Sequence, residues 1–304
     1  MNKINENDEN NQIVKWVVND YFTPNIKAEV ILDTLLTPYI AEILKDQRKD
    51  YFTGELDFIT KEMSVLESED SMKDSNLNNG GTKIDYVLGD EKSIYLVELK
   101  TTDSSIKLGQ AQRYLDNCRG KNFGEVFGNK LLSIMKGAFG DIYEEGFPSK
   151  YDDEALKEAF KSVFHIRFRK KSSSGNTVCI TGKQLGITGE KPSYAESAME
   201  LIRTMRWAQS DMLRSRKYLY TAGQLLDYCA KRNRTLWDKP LKLIYLTPTG
   251  ECRSESDKEK YSNFYIDSFS LREAGTYLNK KYQDKKDELA HLLSCIIKNI
   301  YEKE

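Results

Sequence analysis

The stretch that decides the fold is KIDYVLGDEKSIYLVELK, residues 83–100, in which two apolar runs flank a short polar segment. The polar segment GDEK, residues 89–92, has the Gly and Asp content of a hairpin turn, so the two runs are predicted to pair as antiparallel strands. The runs also carry charges, since Asp85 lies on the first and Glu98 and Lys100 end the second. Acids and a lysine inside apolar strands require an explanation.

Strand geometry predicts where these charged side chains point. Side chains two apart on a strand share a face, so Glu98 and Lys100 are predicted to point one way, while Val97 and Leu99 point into a core. In the hairpin, Asp85 can approach Glu98, which brings two carboxylates into a small volume. Such carboxylates disfavour each other's ionised forms unless a cation lies between them. Mg²⁺ is the natural candidate, because its preferred ligands are hard oxygens.

A lysine beside such a metal has a chemical use. It can orient or help deprotonate a water, while the metal lowers the pKa of that water and neutralises charge on phosphorus. The pattern therefore favours phosphodiester hydrolysis, with one or two metals held by Asp85 and Glu98 and an in-line attack beside Lys100. The alternative is an ordinary Glu98–Lys100 ion pair on an exposed strand, the common outcome for an isolated Glu-x-Lys triplet.

Periodicity predicts the elements around the hairpin. Residues 25–47 carry apolar residues at helical spacing, and Pro38 is predicted to divide or kink that helix. Residues 56–66 alternate as a strand with one wet face would, residues 106–120 predict a helix, and residues 240–250 predict a short strand. The predicted order is helix, three strands, helix, strand.

The rest of the chain is predicted to be largely helical. A helix is predicted over residues 152–164, a basic hairpin over 165–182, one or two long helices over 192–233, and a closing helix over 284–303.

Two motifs in this chain resemble those of a known family. IDYVL, residues 84–88, followed by YLVELK, residues 95–100, resembles the signature of the PD-(D/E)XK nuclease superfamily, and the predicted order of elements is similar to that family's core. QAQRY, residues 110–114, is similar to the Q-x-x-x-Y motif of RecB-type members. Residues four apart share a helix face, so both polar groups could reach one site or the DNA backbone.

The resemblance covers about residues 25–118 and 240–250, and it implies a divalent metal site. Asp85, Glu98 and the carbonyl oxygen of Leu99 would bind Mg²⁺, or Mn²⁺ in its place.

The resemblance also implies further catalytic groups. Lys100 would be the catalytic lysine, and Gln110 and Tyr114 would support it or contact the substrate. The family commonly has a glutamate on the first helix, for which Glu29 and Glu42 both flank the apolar stripe. Glu29 is favoured because it lies in the first half of the helix, before the proline.

These inferences together predict an α/β protein with a restriction-endonuclease-like core, a mixed central sheet and a largely helical insertion. Residues 1–304 would form a single nuclease-like domain, with the core at about 25–118 and 240–304. The basic, helical insertion would occupy about residues 119–239.

Charge is distributed unevenly along the chain. The formal net charge is −1, yet residues 1–75 carry 8 Lys or Arg against 16 Asp or Glu, and residues 161–234 carry 15 against 5. The basic segment could bind a nucleic acid, DNA being the expected partner, through arginines that are interleaved with Trp207, Tyr218 and Tyr220. The plainer alternative is a set of solvated helix faces. A double-strand cutter would also need two sites, and hence a homodimer or two binding events.

The chain carries no sign of export or membrane insertion. Its first 16 residues, MNKINENDENNQIVKW, are polar and acidic, no stretch approaches 18 apolar residues, and the five cysteines form no CxxC pair. We therefore expect a cytoplasmic protein with no membrane association.

Two other functions are compatible with the sequence. One is a catalytically silent nucleic-acid-binding module that retains the nuclease fold as a scaffold. The other is a structural or interaction protein. Cleavage assays with and without metal would separate the three.

Overall fold

The computed structural model describes residues 14, 28–64, 83–102, 105–106, 108–132, 151–164, 167–171, 177–182, 193–204, 213–250, 267–285 and 287–301. The α-helices are α1 Ala28–Leu36, α2 Ile40–Gln47, α3 Leu108–Cys118, α4 Asp153–Val163, α5 Tyr194–Thr204, α6 Leu213–Arg232, α7 Leu271–Tyr282 and α8 Glu288–Tyr301. The strands are β1 Asp57–Ser64, β2 Lys83–Gly89, β3 Ile94–Leu99, β4 Arg167–Lys171, β5 Thr177–Thr181, β6 Leu241–Thr247 and β7 Asp267–Ser270.

Five of these strands form one open sheet in the order β1-β2-β3-β6-β7. β2 and β3 are antiparallel, as the hairpin prediction required, with Tyr86 opposite Val97 and Gly89 opposite Ile94. β6 and β7 are parallel, so the sheet is mixed and the prediction of an α/β protein with a mixed sheet is confirmed. The sequence did not predict β7, because this strand has only four residues and a single apolar one.

Asp90 fixes the turn of the β2–β3 hairpin. Its carboxylate accepts hydrogen bonds from the backbone N–H groups of Lys92 and Ser93 at 2.7 and 2.8 Å, from the Thr53 N–H at 2.7 Å, and from the Tyr95 hydroxyl at 2.5 Å. Asp90 is fully buried, and these four donors satisfy both of its oxygens. Asp90 of the Gly-Asp turn predicted from the sequence thus also makes buried contacts in the core.

The predicted break at Pro38 is confirmed. α1 ends at Leu36 and α2 begins at Ile40, which is the separation expected around a residue that lacks a backbone N–H. β1 is confirmed as a strand, but the predicted wet face is not, since Ile59 and Thr60 are adjacent and both buried.

The chain divides into two compact units, residues 1–58, 84–116 and 242–304 in the first and residues 59–83 and 117–241 in the second. The described residues of the first unit include a large apolar cluster. From the strands it includes Tyr86, Leu88, Tyr95, Val97, Leu99, Ile244 and Leu246, which meet apolar residues of α1, α2, α7 and α8. The other face of β2 and β3 carries the buried Val87 and Leu96 together with Asp85 and Glu98.

Helices α7 and α8 of the first unit approach each other closely. α7, which was not predicted, begins at Leu271 and is capped by Ser270, whose hydroxyl accepts from the Glu273 N–H at 3.2 Å. Gly275 allows the approach, because a Cβ there would lie 2.6 Å from Cγ2 of Ile297. The Ser294 hydroxyl also donates to the Gly275 carbonyl at 2.9 Å.

The second unit is mainly helical among its described residues. α4 starts at an Asp152 cap and buries a stripe that includes Leu156 and Phe160, which confirms the helix predicted there. β4 and β5 pair antiparallel, which confirms the basic hairpin, and the described residues between 193 and 233 form two helices, α5 and α6. Within the described parts of the chain, no helix has the length and apolarity needed to cross a bilayer.

Candidate active site

The β2–β3 hairpin brings Asp85 and Glu98 together. The register that sets Tyr86 opposite Val97 places Asp85 opposite Glu98 one step further along the strands. The Asp85 carboxylate then lies against the β3 backbone, where its Oδ2 accepts a 2.7 Å hydrogen bond from the Leu99 N–H. The two acids therefore occupy neighbouring strands, as the sequence predicted.

Glu98 and Lys100 form a buried ion pair. Lys100 Nζ lies 2.7 Å from Glu98 Oε1, and the two residues are only 6% and 3% exposed. Val97 and Leu99 pack into the core on the opposite face, which confirms the predicted alternation. The exposed surface pair considered as an alternative is ruled out by this burial. Moreover, a buried pair contributes little net stability, because desolvation offsets its attraction.

Helix α3 supplies the other two polar groups. Gln110 Nε2 donates to Glu98 Oε1 at 2.9 Å, and Gln110 Oε1 accepts from Lys100 Nζ at 3.2 Å. The Tyr114 hydroxyl donates to Glu98 Oε2 at 2.9 Å. Gln110 and Tyr114 also contact each other at 3.0 Å, as expected for residues four apart on a helix. The buried Ala111 helps to seat the helix.

Burial and repulsion act on the acids of this cluster. Burial, followed by the charge of Glu98, raises the pKa of Asp85 to about 8, and the Leu99 N–H and Lys100 only partly offset this. Burial and the Glu98 charge likewise raise the pKa of the Tyr114 phenol well above its ordinary value. The hairpin therefore holds a carboxylate where its charge is disfavoured, which a bound cation would relieve.

The residues fit a hard divalent cation in their chemistry. Asp85 and Glu98 offer carboxylate oxygens and Leu99 offers a main-chain carbonyl, which are the ligand types that Mg²⁺ and Mn²⁺ take. No group of three or more His, Cys, Asp or Glu side chains that could hold a metal occurs among the described residues. The predicted set contains two carboxylates and a carbonyl, and its role in metal binding stays a prediction.

The sequence offered two glutamates, Glu29 and Glu42, as the acid of the first helix, and the described residues place neither side chain at the site. Glu29 lies on α1, but its side chain is outside the described residues. Glu42 lies on α2 and bonds to Lys281 and to the Tyr282 hydroxyl, the latter at 2.8 Å. Glu42 is thus engaged with α7.

Asp33 of α1 is an acid near the site that the sequence reasoning missed. Its charge contributes to the raised pKa of Asp85, and its backbone carbonyl accepts from the Tyr86 hydroxyl at 3.2 Å. Asp33 follows Glu29 by four residues and so shares its helix face. This spacing is the signal that could have identified it.

The predicted nucleic-acid-binding surface lies largely outside the described residues. Arg206 and Trp207 are not described, and of Arg214, Arg216 and Lys217 only the backbone is. The basic hairpin β4–β5 is likewise described without its side chains. The contribution of the basic segment to nucleic-acid binding stays a prediction.

The chain was also compared with known proteins. No protein-family model matches it, and neither a curated protein nor a solved structure does.

Proposed function

We propose that this protein is a divalent-metal-dependent nuclease that hydrolyses phosphodiester bonds of a nucleic acid, with DNA as the expected substrate. The observation that carries the proposal is the buried cluster in which Asp85, Glu98 and Lys100 meet Gln110 and Tyr114 through direct hydrogen bonds. The restriction-endonuclease-like core and the PD-(D/E)XK resemblance remain part of this proposal.

The energetic cost of the cluster supports a functional role. An acid with a raised pKa and an ion pair that is almost fully buried both cost desolvation free energy, which an apolar pair of similar volume would avoid. Strongly perturbed titratable groups gather at functional sites for this reason. A structural protein would have no evident use for them on two buried, neighbouring strands.

The residues divide the work of hydrolysis. Asp85, Glu98 and the Leu99 carbonyl would hold the metal, which when bound supplies a water of lowered pKa and neutralises charge on the phosphate. Lys100, through its ammonium, would orient the attacking water or stabilise negative charge on the phosphate oxygens. Gln110 and Tyr114 would hold Glu98 in one orientation, because they donate to its two different oxygens.

A cleavage assay tests the proposal. The purified protein is incubated with plasmid, linear duplex DNA, single-stranded DNA and single-stranded RNA, in Mg²⁺, Mn²⁺ or EDTA. We expect cleavage in Mg²⁺ or Mn²⁺ and none in EDTA. Asp85→Asn and Lys100→Met should each lower the rate by about 100-fold or more, the typical effect of removing a group that stabilises the transition state.

Lys92→Met is the matched control, because Lys92 is an exposed lysine on the same hairpin. It should cleave at the wild-type rate. Binding without cleavage in every metal would replace the proposal with the silent binding module. Neither binding nor cleavage would favour the structural or interaction protein.

A further inference from the structure

The end of α8 reaches the candidate site from a distant part of the chain. Tyr301, the last residue of α8, is 3% exposed, and its hydroxyl donates a 3.0 Å hydrogen bond to the carbonyl oxygen of Thr101. Thr101 is also buried and directly follows Lys100. The two bonded residues are 200 positions apart in the sequence, so only folding brings them together.

Arg272 anchors Tyr301 in turn. The Arg272 side chain donates two hydrogen bonds to the Tyr301 carbonyl, from Nε at 3.0 Å and from Nη2 at 2.6 Å. Its backbone N–H donates to the carbonyl of Pro248 at 3.2 Å, just past the end of β6. Two donors from one planar guanidinium fix direction as well as distance. Tyr301 is therefore tied to the same sheet that carries Lys100.

These contacts hold the Lys100 backbone on both sides. Upstream, the Lys100 N–H donates to the Leu246 carbonyl at 2.8 Å, and downstream the Thr101 carbonyl is held by Tyr301. A lysine has many rotamers, and which of them reaches a given point depends on the direction of its Cα–Cβ bond. Fixing the backbone therefore decides whether the Lys100 ammonium can meet both Glu98 and Gln110.

We propose that Tyr301 is a positioning residue of the candidate site, whose hydroxyl holds the Lys100–Thr101 segment so that the Lys100 ammonium stays between Glu98 and Gln110. Tyr301 acts through Lys100 and needs no contact with a substrate. The part of this inference that concerns turnover rests on the proposed nuclease function, whereas the part that concerns the position of Lys100 does not.

The first test uses Tyr301→Phe, which keeps the ring and removes only the hydroxyl. For Mg²⁺-dependent cleavage of linear duplex DNA, we expect kcat to fall about fivefold to tenfold, the effect of one lost hydrogen bond, with KM unchanged. Tyr39→Phe is the control, since Tyr39 is 6% exposed and its hydroxyl donates at 2.7 Å to Asp287, which is not a residue of the candidate site. The control should keep the wild-type kcat.

The second test needs no substrate. Amines of the metal-free protein are acetylated with acetic anhydride, and the rate at Lys100 is measured by peptide mass spectrometry relative to the exposed Lys242. Lys100 should be acetylated several-fold faster in Tyr301→Phe than in the wild type. In Tyr39→Phe, its acetylation rate should be that of the wild type. Arg272→Gln, which removes the anchor of Tyr301, should shift the Lys100 rate in the same direction.

The two tests separate the two proposals. Unchanged acetylation of Lys100 in folded Tyr301→Phe and Arg272→Gln overturns the positioning role. Faster acetylation in a protein that cleaves no nucleic acid supports the positioning role and overturns the nuclease. A fall in kcat of equal size in Tyr39→Phe would make the effect one of general stability and would also overturn the inference.

Discussion

The carboxyl group of Asp85 has conflicting roles in stability and in the proposed activity. It lies partly buried beside Glu98, and its pKa is raised to about 8. A metal site requires such an acid to be charged, whereas folding of the metal-free chain disfavours that charge. Active sites commonly retain groups of this kind at a cost in stability.

Asp85→Asn should therefore stabilise the metal-free protein. Because the folded pKa is raised, the folded state is penalised once the unfolded chain ionises, above about pH 4, and the penalty grows until about pH 8. In EDTA at pH 7, we expect urea unfolding to give the variant a free energy of unfolding that is higher than that of the wild type by on the order of 1–2 kcal/mol. Near pH 4 the two free energies should match.

Asn can still accept the Leu99 N–H, so this change removes mainly the charge. Asp116→Asn, at an exposed acid of α3, is the control and should leave stability nearly unchanged at both pH values. A less stable Asp85→Asn at pH 7 would contradict the account of the charge at Asp85.

Asp90 shows the opposite linkage between charge and stability. Burial alone would raise its pKa, but the hydrogen bonds from Tyr95, Thr53, Lys92 and Ser93 outweigh it and hold the pKa below its ordinary value. A carboxyl with a lowered folded pKa stabilises the fold above its unfolded pKa. That stability is lost as the pH falls through the folded value.

Asp90→Asn should cost about 1–3 kcal/mol at pH 7, because an amide can accept at only one of the two positions that the carboxylate uses. The difference from the wild type should shrink as the pH falls below about 4, which urea unfolding at pH 7, 4 and 3 would measure. Glu91→Gln, at the exposed acid next in the turn, should show neither effect. A difference that does not shrink between pH 4 and pH 3 would argue against a lowered pKa of Asp90 in the fold.

The hairpin, more than any single residue, assembles the candidate site. β2 and β3 place the acids on adjoining strands, and α3 covers them with Gln110 and Tyr114. The period of 2 in the strands and of 3.6 in the helix, read from the sequence, predicted these placements.

The edge of the sheet in the first unit shows what periodicity does not predict. Gln47 of α2 donates to the Ser270 carbonyl at 2.7 Å and accepts from its N–H at 2.8 Å, so one side chain covers backbone groups of β7. Exposed edge groups invite pairing with other chains, and such a cover limits it. Neither β7 nor its cover has a local signal in the sequence.

The α7–α8 contact offers a test at the scale of elements. Gly275→Ala places a methyl 2.6 Å from Cγ2 of the buried Ile297, whose branched side chain has little freedom to move. We expect a loss of about 1–3 kcal/mol from overpacking, which outweighs the gain of up to about 1 kcal/mol in helix propensity. Thermal unfolding measures the difference.

Gly109→Ala is the matched control, because a Cβ there meets nothing within 4 Å and the residue also lies in a helix, α3. It should be neutral or slightly stabilising. Equal destabilisation by both changes would show that the loss at Gly275 does not come from the close approach of α7 and α8.

At the scale of the whole molecule, the two compact units differ in what they contribute. The first unit contains every described side chain of the candidate site, while the basic segment, residues 161–234, falls within the second. The predicted insertion at about residues 119–239 and the predicted single domain stay predictions beside this division. Metal binding should therefore stabilise the first unit against unfolding.

Mg²⁺ or Mn²⁺ should raise the Tm of the wild-type protein in a concentration-dependent manner. A ligand that binds only the folded state at 100 times its Kd adds about 2.7 kcal/mol. Asp85→Asn should lose this gain, so that the variant is the more stable protein in EDTA and gains nothing from metal. Lys92→Met should keep the wild-type response, and an equal shift in Asp85→Asn would place the metal elsewhere.

Local signals in the sequence determined much of this protein. The alternation in residues 83–100, the Gly-Asp turn and the Q-x-x-x-Y spacing predicted the hairpin, the facing acids and the helix that covers them, because each depends on neighbours within a few residues or across one tight turn. The break at Pro38 followed in the same way from the chemistry of one residue.

Only the tertiary structure decided how the site is buried and held. The burial of the Glu98–Lys100 pair, the approach of Asp33 to the site and the bond from Tyr301 to Thr101 join segments far apart in the chain. Such contacts depend on how whole elements pack against one another, and their distances in sequence leave no periodic trace. The sequence thus determined which groups face each other on the strands, and the packing of α1, α3 and α8 around them decided their environment.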